Sequence, residues 1–309
     1  MVKEEEYINQ IAKTTEVAGE DFLIVEKTIG TKIIKYTDLV EEIKRSLGIV
    51  DTLEITEKGY LPEGYLVADA LNNKQAQIRA SWGYFGKEIP FTWEEIEQKT
   101  EAGDFSEFNV GDYKDIVLTT GEKVRMEIAG INTYKGYRSG NANRLYWISR
   151  DCLEKKYAMN PANTNAGGFP DSALKTTLNT TIYNTLPPEV KAVIKTDKRL
   201  CSKKGTWAWQ EDQKLWLPSE VEIWGKNIWS EVGYGNGDCV QFPIFANSMI
   251  HINKGYGFGK AEQGAFAYWW SDSPEEATTT NFCNVNRYGS AYNDSGAANE
   301  FGVPLCFTT

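Results

Sequence analysis

The sequence predicts an α+β fold: small, mostly β units at the N-terminus, followed by one larger mixed domain. Three observations carry this. Strand-length segments with alternating apolar residues recur between Gly, Pro and Asn turns, capped amphipathic helical segments are scattered among them, and no repeat of fixed period or long heptad run is present. The 309 residues include ten Trp and sixteen Tyr, enough large, stiff side chains for a substantial core.

Residues 1–50 form the first unit. Phe22, Ile24 and Val25 make a strand, Gly30-Thr31 a turn, and Ile33, Ile34 and Tyr36 a second strand. Thr37 or Asp38 caps a helix carrying Leu39, Val40, Ile43 and Leu47, and Gly48 stops it. Residues 51–90 read as a small β connector, with turn chemistry at Gly59, Pro62 and Gly64 and a hairpin tip at Asn72-Asn73.

From residue 91 the pattern changes. "TWEEIEQKTEAGDFSEF" predicts a capped amphipathic helix with Trp93, Ile96 and Phe105 inward. "NVGDYKDIVLTTGEKVRMEIAGINTY" predicts two strands joined by a tight turn at "TTGE". "SALKTTLNTTIYNTLPPEVKAVIKT" gives two short helices broken at Pro187-Pro188. "KLWLPSEVEIWG" reads as a strand leading into a helical turn. Trp residues then recur, at 207, 209, 216, 224, 229, 269 and 270. Last comes "NFCNVNRYGSAYNDSGAANEFG", residues 281–302, a polar stretch between the core-like segments "YWWSDSP" and "VPLCF". At its start Cys283 and Val285 alternate with Asn284 and Asn286, the pattern of a strand with one wet face.

Composition excludes several function classes. A net charge of −10 and a pI near 4.9 disfavour a general nucleic-acid binder and a polybasic membrane attachment. The acidic start "MVKEEEYINQ" is not that of a signal peptide, so synthesis in a bacterial cytoplasm is expected. No apolar window is long enough to span a bilayer. The five cysteines (152, 201, 239, 283 and 306) are dispersed and His251 is the only histidine, so neither a disulfide framework, a metal nor a cofactor is expected.

Six segments in order, "VGDYKDIVLTTGEKVRMEIAGI", "YAMNPANTNAGGFPDSALKTTLN", "LPPEVKAVIKT", "WLPSEVEIWG", "YWWSDSP" and "NFCNVNRYGSAYN…GVPLCF", resemble the DUF6273 group over residues 90–309. That group is similar to the C-type-lectin-like, formylglycine-generating-enzyme-like variable proteins of diversity-generating retroelements, of which phage tropism determinants are one kind. The resemblance implies a C-type-lectin-like domain over 91–309. Its variable-type region, about residues 281–302, would display a changeable surface on an aromatic frame. In such proteins Asn codons are rewritten at adenines, which cannot produce Lys, Glu, Gln, Met or Trp. None of these occurs from Asn281 to Asn299. The implied ligand-binding residues are Asn284, Asn286, Arg287, Tyr288, Ser290, Tyr292, Asn293, Asp294, Ser295 and Asn299. Phe282, Val285, Val303, Leu305 and Phe307 are expected to pack inward, with Trp269 and Trp270 beneath them. Tyr supplies contact area, and Asn, Ser and Gly supply adaptable hydrogen bonds. The N-terminal unit is similar to attachment segments of phage tail proteins. "YWWSDSP" departs from the family's "YWWLRSP", so Asp272 stands where a basic residue is expected.

The expected function is therefore that of a phage tail-fibre or tail-tip receptor-binding protein, not an enzyme. It would bind a bacterial surface protein or glycan, contact other tail proteins through its N-terminus, and reside in the virion. An adhesin or prophage-encoded display protein of the same fold is one alternative; a cell-wall glycan-active enzyme is another. For the enzyme reading the candidates are Glu220 and Glu222, which share a face if they lie on a strand. The reactive-cysteine chemistry of the formylglycine-generating enzymes would need Cys283 and Cys306, but their apolar flanks favour inert buried thiols. His251 has no evident partner. Tyr292–Asp294 is a poor imitation of a calcium-lectin motif.

The small N-terminal unit has too little core to stand alone. Residues 1–90 are therefore expected to hold copies of the chain together, and the phage resemblance implies that the assembly is a homotrimer. Light scattering of the full chain at micromolar concentration checks this: a trimer mass is expected, and a monomer mass contradicts it.

Overall fold

In a computed structural model, residues 22–27, 30–35, 86–235, 237–246, 260–262 and 265–309 are described. The chain divides into two compact units, residues 1–61 and 62–309. In the first, β1 (Phe22–Lys27) and β2 (Gly30–Lys35) form an antiparallel hairpin whose register pairs Lys27 with Gly30. Both expected strands are present, but Gly30 and Thr31, expected as the turn, already belong to β2 and pair with Lys27 and Glu26, so the turn lies before them; Tyr36 is outside the described residues. The expected helix over 37–47, the hairpin tip near Asn72 and His251 lie outside the described residues.

The second unit is a mixed α+β structure built from several small antiparallel sheets. It reaches back to Ile89, which is buried and donates its N–H to the Tyr113 carbonyl (2.8 Å). α1 (Trp93–Ala102) starts at a capping box. Thr92 N–H donates to the Glu95 carboxylate at 2.7 Å, and Glu95 N–H donates to the Thr92 hydroxyl at 3.2 Å. Gly103 ends the helix at φ +74°, a left-handed conformation that glycine adopts without Cβ strain. The helix is shorter than expected: Phe105 lies beyond it, half-buried against the core rather than on its inner face.

β3 (Tyr113–Val117), β4 (Lys123–Ile131) and β5 (Leu145–Cys152) follow, then the short β6 (Tyr157–Ala158). A helical stretch runs from α2 (Ala173–Thr177) through a wider π turn (Leu178–Ile182) into α3 (Tyr183–Thr185). Pro187 ends it and α4 (Pro188–Val193) restarts, as the paired prolines predict. β7 (Arg199–Ser202) and β8 (Trp207–Gln210) form a hairpin; α5 (Glu220–Trp224) and α6 (Pro243–Ala246) come next. β9 (Lys260–Glu262) and β10 (Ala265–Ala267) pair with each other. β11 (Trp269–Pro274), β12 (Phe282–Val285) and β13 (Ala291–Tyr292) form a three-stranded sheet. β14 (Glu300–Phe301) pairs with β6. β15 (Pro304–Thr308) returns to the central sheet, whose order is β15-β5-β4-β3.

Two expectations fail here. Leu215 makes only an isolated bridge to Phe307, and Glu220 and Glu222 lie on the helix α5, not on a strand. Their side chains therefore do not share a strand face. The second failure is β12, which is buried on both faces and has no wet side.

The core centres on aromatic contacts around β5 and β15. Trp93 meets Trp147 edge-on at 5.0 Å between centroids and Phe307 at 5.7 Å, while Trp147 stacks on Phe307 at 6.2 Å. Trp216 stacks on Phe242 at 5.5 Å, and its indole N–H donates to the Thr308 hydroxyl (3.3 Å). Phe307 thus joins α1, β5 and the 215–216 segment. Phe307→Ala leaves a ring-sized void that flat neighbours cannot close, so a loss of about 3–5 kcal/mol in unfolding free energy is expected in denaturant titration.

Candidate functional site

The polar stretch 281–302 is seated on a dry frame. Trp269, Trp270, Phe282, Val285, Val303, Leu305 and Phe307 are all fully buried. β12 is flanked by β11, with Trp269 opposite Val285 and Trp270 opposite Asn284, and by β13, with Asn284 opposite Tyr292. Asn284 itself is fully buried. Its side chain is 0% exposed, its amide N–H donates to the Phe282 carbonyl (3.3 Å), and its Oδ1 has no hydrogen-bond partner. Asn284 was expected on the exposed face, and it is not. Ser295 is likewise buried: its backbone carbonyl accepts from Phe282 N–H (3.3 Å) and its N–H donates to the Asn293 carbonyl (2.9 Å).

Beyond β12 the chain makes a tight, self-braced turn. The Asn286 side-chain oxygen accepts the N–H groups of Tyr288 (2.9 Å) and Ser290 (3.1 Å), and Asn286 N–H donates to the Ser290 carbonyl (2.9 Å). Half-buried Asn286 therefore shapes the loop as much as it lines it. Arg287, Tyr288, Ser290, Asp294 and Asn299 are exposed, Tyr288 at 54%. Arg287 donates to the Tyr288 hydroxyl (2.7 Å), which holds both groups outward. Tyr292 and Asn293 are half-exposed. Tyr292 rests edge-on against Tyr268 (5.6 Å), which stacks on Phe301 (5.3 Å), which in turn leans on Trp270 (4.6 Å).

Sequence reasoning missed the residues that anchor this stretch. The Asn165 side-chain NH2 donates to three backbone carbonyls, one of its two hydrogens being shared: those of Glu275 (3.2 Å), Thr278 (3.0 Å) and Asn281 (2.9 Å). Lys204 Nζ donates to the carbonyls of Glu275 (2.7 Å) and Glu276 (2.5 Å). Asn281 donates in turn to the Asn293 carbonyl (3.0 Å). Asn165 stands in "NPANTNAGG", one of the quoted motifs, and that was its only signal; Lys204 had none.

Behind the frame lies a buried charge cluster. The Glu222 carboxylate accepts from Arg199 (2.6 Å), Arg138 (3.1 Å), the Tyr134 hydroxyl (2.7 Å) and Ser219 N–H (2.8 Å). Burial opposes its ionisation, but the two guanidiniums and these hydrogen bonds prevail and hold its pKa below the usual range. Asp272 sits nearby with one donor from Ser273 (3.2 Å) and the Cys201 thiol at 3.9 Å. Burial and the charge of Glu222 push its carboxyl up to about 7, only partly offset by Arg199.

The groups considered for catalysis are committed elsewhere. The Glu220 carboxylate accepts from the N–H groups of Ile228 (2.8 Å), Trp229 (2.9 Å) and Ser230 (2.8 Å) and from the Ser230 hydroxyl (2.7 Å). Glu220 and Glu222 thus turn to different partners and do not face a common cleft. None of the five cysteines is in a disulfide, and all are buried. Burial pushes the Cys283 and Cys306 thiols well above their ordinary value, away from thiolate chemistry. Among the described residues no group of three or more His, Cys, Asp or Glu could hold a metal ion.

A mixed domain with a buried aromatic frame and an anchored polar rim defines a protein with a built surface. The chain belongs to the DUF6273 family: the family model, described as a domain of unknown function, matches residues 143–309, more than half of the chain. The match covers β5 through β15, the anchored loop and the whole polar stretch. No curated protein and no solved structure matches.

The Asp272 environment sets a pH dependence. An unfolded aspartate titrates near 3.9, whereas folded Asp272 keeps its proton up to about 7. Its contribution to stability is full below about pH 4 and is lost as pH rises through 7. The unfolding free energy is expected to be on the order of 2 kcal/mol lower at pH 8 than at pH 5 from this group. Asp272→Asn removes that difference, and denaturant titrations of both chains at the two pH values measure it.

Proposed function

We propose that the protein is a non-enzymatic binding protein whose C-terminal region is a C-type-lectin-like display domain, acting as a phage tail-fibre or tail-tip receptor-binding protein. The observation that carries this reading is the division of labour within one short stretch. Arg287, Tyr288, Ser290, Asp294 and Asn299 are exposed, while Phe282–Val285 before them and Gly302–Thr309 after them are buried. A surface of this kind can change its side chains without disturbing the frame. Its ligand is a protein or glycan on a bacterial surface.

The proposed face consists of Asn286, Arg287, Tyr288, Ser290, Tyr292, Asn293, Asp294 and Asn299. Asn284 and Ser295 are left out because they are buried. Support against an enzymatic role comes from the engaged carboxylates of Glu220 and Glu222 and the inert thiols. The N-terminal attachment role and the trimer belong to the same proposal and rest on the sequence resemblance. A surface adhesin would use the same face.

Separation of stability from binding is the test. Tyr288→Ala is expected to change unfolding free energy by about 0.5 kcal/mol or less, and Tyr292→Ala, which also loses its edge contact with Tyr268, by about 1 kcal/mol. They are expected to weaken adsorption to host bacteria by on the order of 2 kcal/mol where either tyrosine anchors the contact. Melting curves and adsorption assays on the same variants decide it. Tyrosine variants that melt much lower, or a full set of exposed substitutions that leaves adsorption unchanged, rule the display reading out.

A further inference from the structure

The β7–β8 hairpin carries an open sheet edge. Lys203 N–H donates to the Thr206 carbonyl (2.6 Å) across a two-residue turn, Lys204-Gly205, with φ of +59° and +88°. This is the type I′ geometry that two-residue hairpins favour. Hydrogen-bonded and non-bonded pairs alternate along an antiparallel ladder. Starting from Lys203–Thr206, Cys201–Ala208 and Arg199–Gln210 are bonded pairs, whereas Ser202–Trp207 and Leu200–Trp209 are not. The backbone N–H and C=O groups of Trp207 and Trp209 therefore point away from β7.

Among the described residues β8 pairs with no other strand. The Trp209 carbonyl accepts only the side-chain amide of adjacent Gln210 (3.2 Å), and the other three outward groups have no partner there. The side chains of the same two residues stand on one face, 49% and 39% exposed. Trp207 leans on Tyr234 (6.3 Å), and Lys198 Nζ lies over Trp209 (5.1 Å). Natural sheets guard such an edge with a lysine, a proline or a bulge in the strand. "WAWQ" contains none of these.

The flanks of β8 differ in charge. Lys203 and Lys204 precede it, and Glu211 and Asp212 follow it, their side chains 72% and 74% exposed. Their present partners are local: Asp171 for Lys203 (3.1 Å), the Glu275 and Glu276 carbonyls for Lys204, Lys198 for Glu211 (3.5 Å) and Lys175 for Asp212 (3.3 Å).

We propose that this edge pairs antiparallel with the same edge of a second copy of the chain, β8 to β8, about a two-fold axis at Ala208. In that register Trp207 of one copy and Trp209 of the other exchange both backbone hydrogen bonds, twice over. The exposed indoles become cross-strand neighbours on one face. Lys204 comes opposite Asp212 of the second copy, and Gly205 opposite Glu211, so basic flank meets acidic flank at both ends. A parallel arrangement would set lysine against lysine and carboxylate against carboxylate. The patch is thus self-complementary, as a two-fold interface requires. This inference is independent of the display reading, because it uses none of residues 281–302.

Full-length chain made in isotopically light and heavy forms, mixed and treated with a carbodiimide, tests the proposal by mass spectrometry. Heavy–light links joining Lys203 or Lys204 to Glu211 or Asp212 are expected. Trp209→Pro removes one outward N–H and leaves every bond to β7 in place. Those links should fall by about tenfold or more in that variant, with the melting curve showing that it is folded. Should it not fold, Glu211→Lys with Asp212→Lys sets like charges across the axis, and sedimentation velocity should show the larger species, formed by two-fold pairing beyond the assembly that residues 1–90 hold, lost. Links found only within light or within heavy chains overturn the proposal. So do heavy–light links that persist undiminished in folded Trp209→Pro, or an assembly unaffected by the double charge reversal.

Discussion

The larger unit is organised around one fully buried, ionised carboxylate. Glu222 lies fully buried between Arg138 and Arg199, with the Tyr134 hydroxyl completing its shell. Dehydrating three charges costs several kcal/mol per ion, and their attraction offsets this only when the geometry is fixed. The arrangement therefore acts as a constraint more than as a source of stability. Each partner comes from a different segment: the loop after β4, the strand β7 and the helix α5. Loss of one leaves the others charged in a dry interior, a cost of about 3–5 kcal/mol for a broken buried pair. Arg138 Nη2 and Arg199 Nε and Nη1 already lack hydrogen-bond partners, so the cluster has little slack.

A continuous chain of hydrogen bonds leads from that cluster to the polar rim. Ser219 and Glu222 start α5 as a capping box, which sets the position of Glu220. Glu220 N–H donates to the Ser273 hydroxyl on β11 (2.9 Å), and its carboxylate gathers the backbone of residues 228–230. Ser230 bridges Glu275, and the carbonyls of 275, 278 and 281 converge on Asn165. The loop feeding β12 is thus held from below by backbone groups. Side chains on its outer surface carry little of this, which makes a fixed backbone compatible with a polar, exposed sequence. Asp272 sits on the same path. Its carboxyl adds a second acid beside Glu222, and burial together with the charge of Glu222 keeps its proton on up to about pH 7.

What could be read in the sequence was what is decided locally. Thr92 and Glu95 are within one helical turn of each other, so the start of α1 follows from capping chemistry. The prediction overran only because Phe105 continued the apolar spacing past Gly103. The hairpin at Gly121 and the helix break at Pro187-Pro188 were legible for the same reason. Asn284 was misread because its burial is imposed by tertiary packing, which the alternation within its own strand does not report. Glu222 could not be placed at all: Arg138 lies 84 residues before it and Arg199 lies 23 before it. An alternation of polar and apolar letters reports one strand's faces, not how many layers cover them.

The return of β15 to the central sheet has a genetic consequence. β15 lies immediately after the polar rim in the chain, yet its partner β5 was laid down more than a hundred residues earlier, and Leu305, Cys306 and Phe307 complete the core. Any stop codon or frameshift arising within the rim deletes or scrambles that strand and with it the aromatic packing of Trp93 and Trp147. Missense changes on the rim spare it. Folding of the domain therefore requires that the reading frame be kept through the whole of the polar stretch.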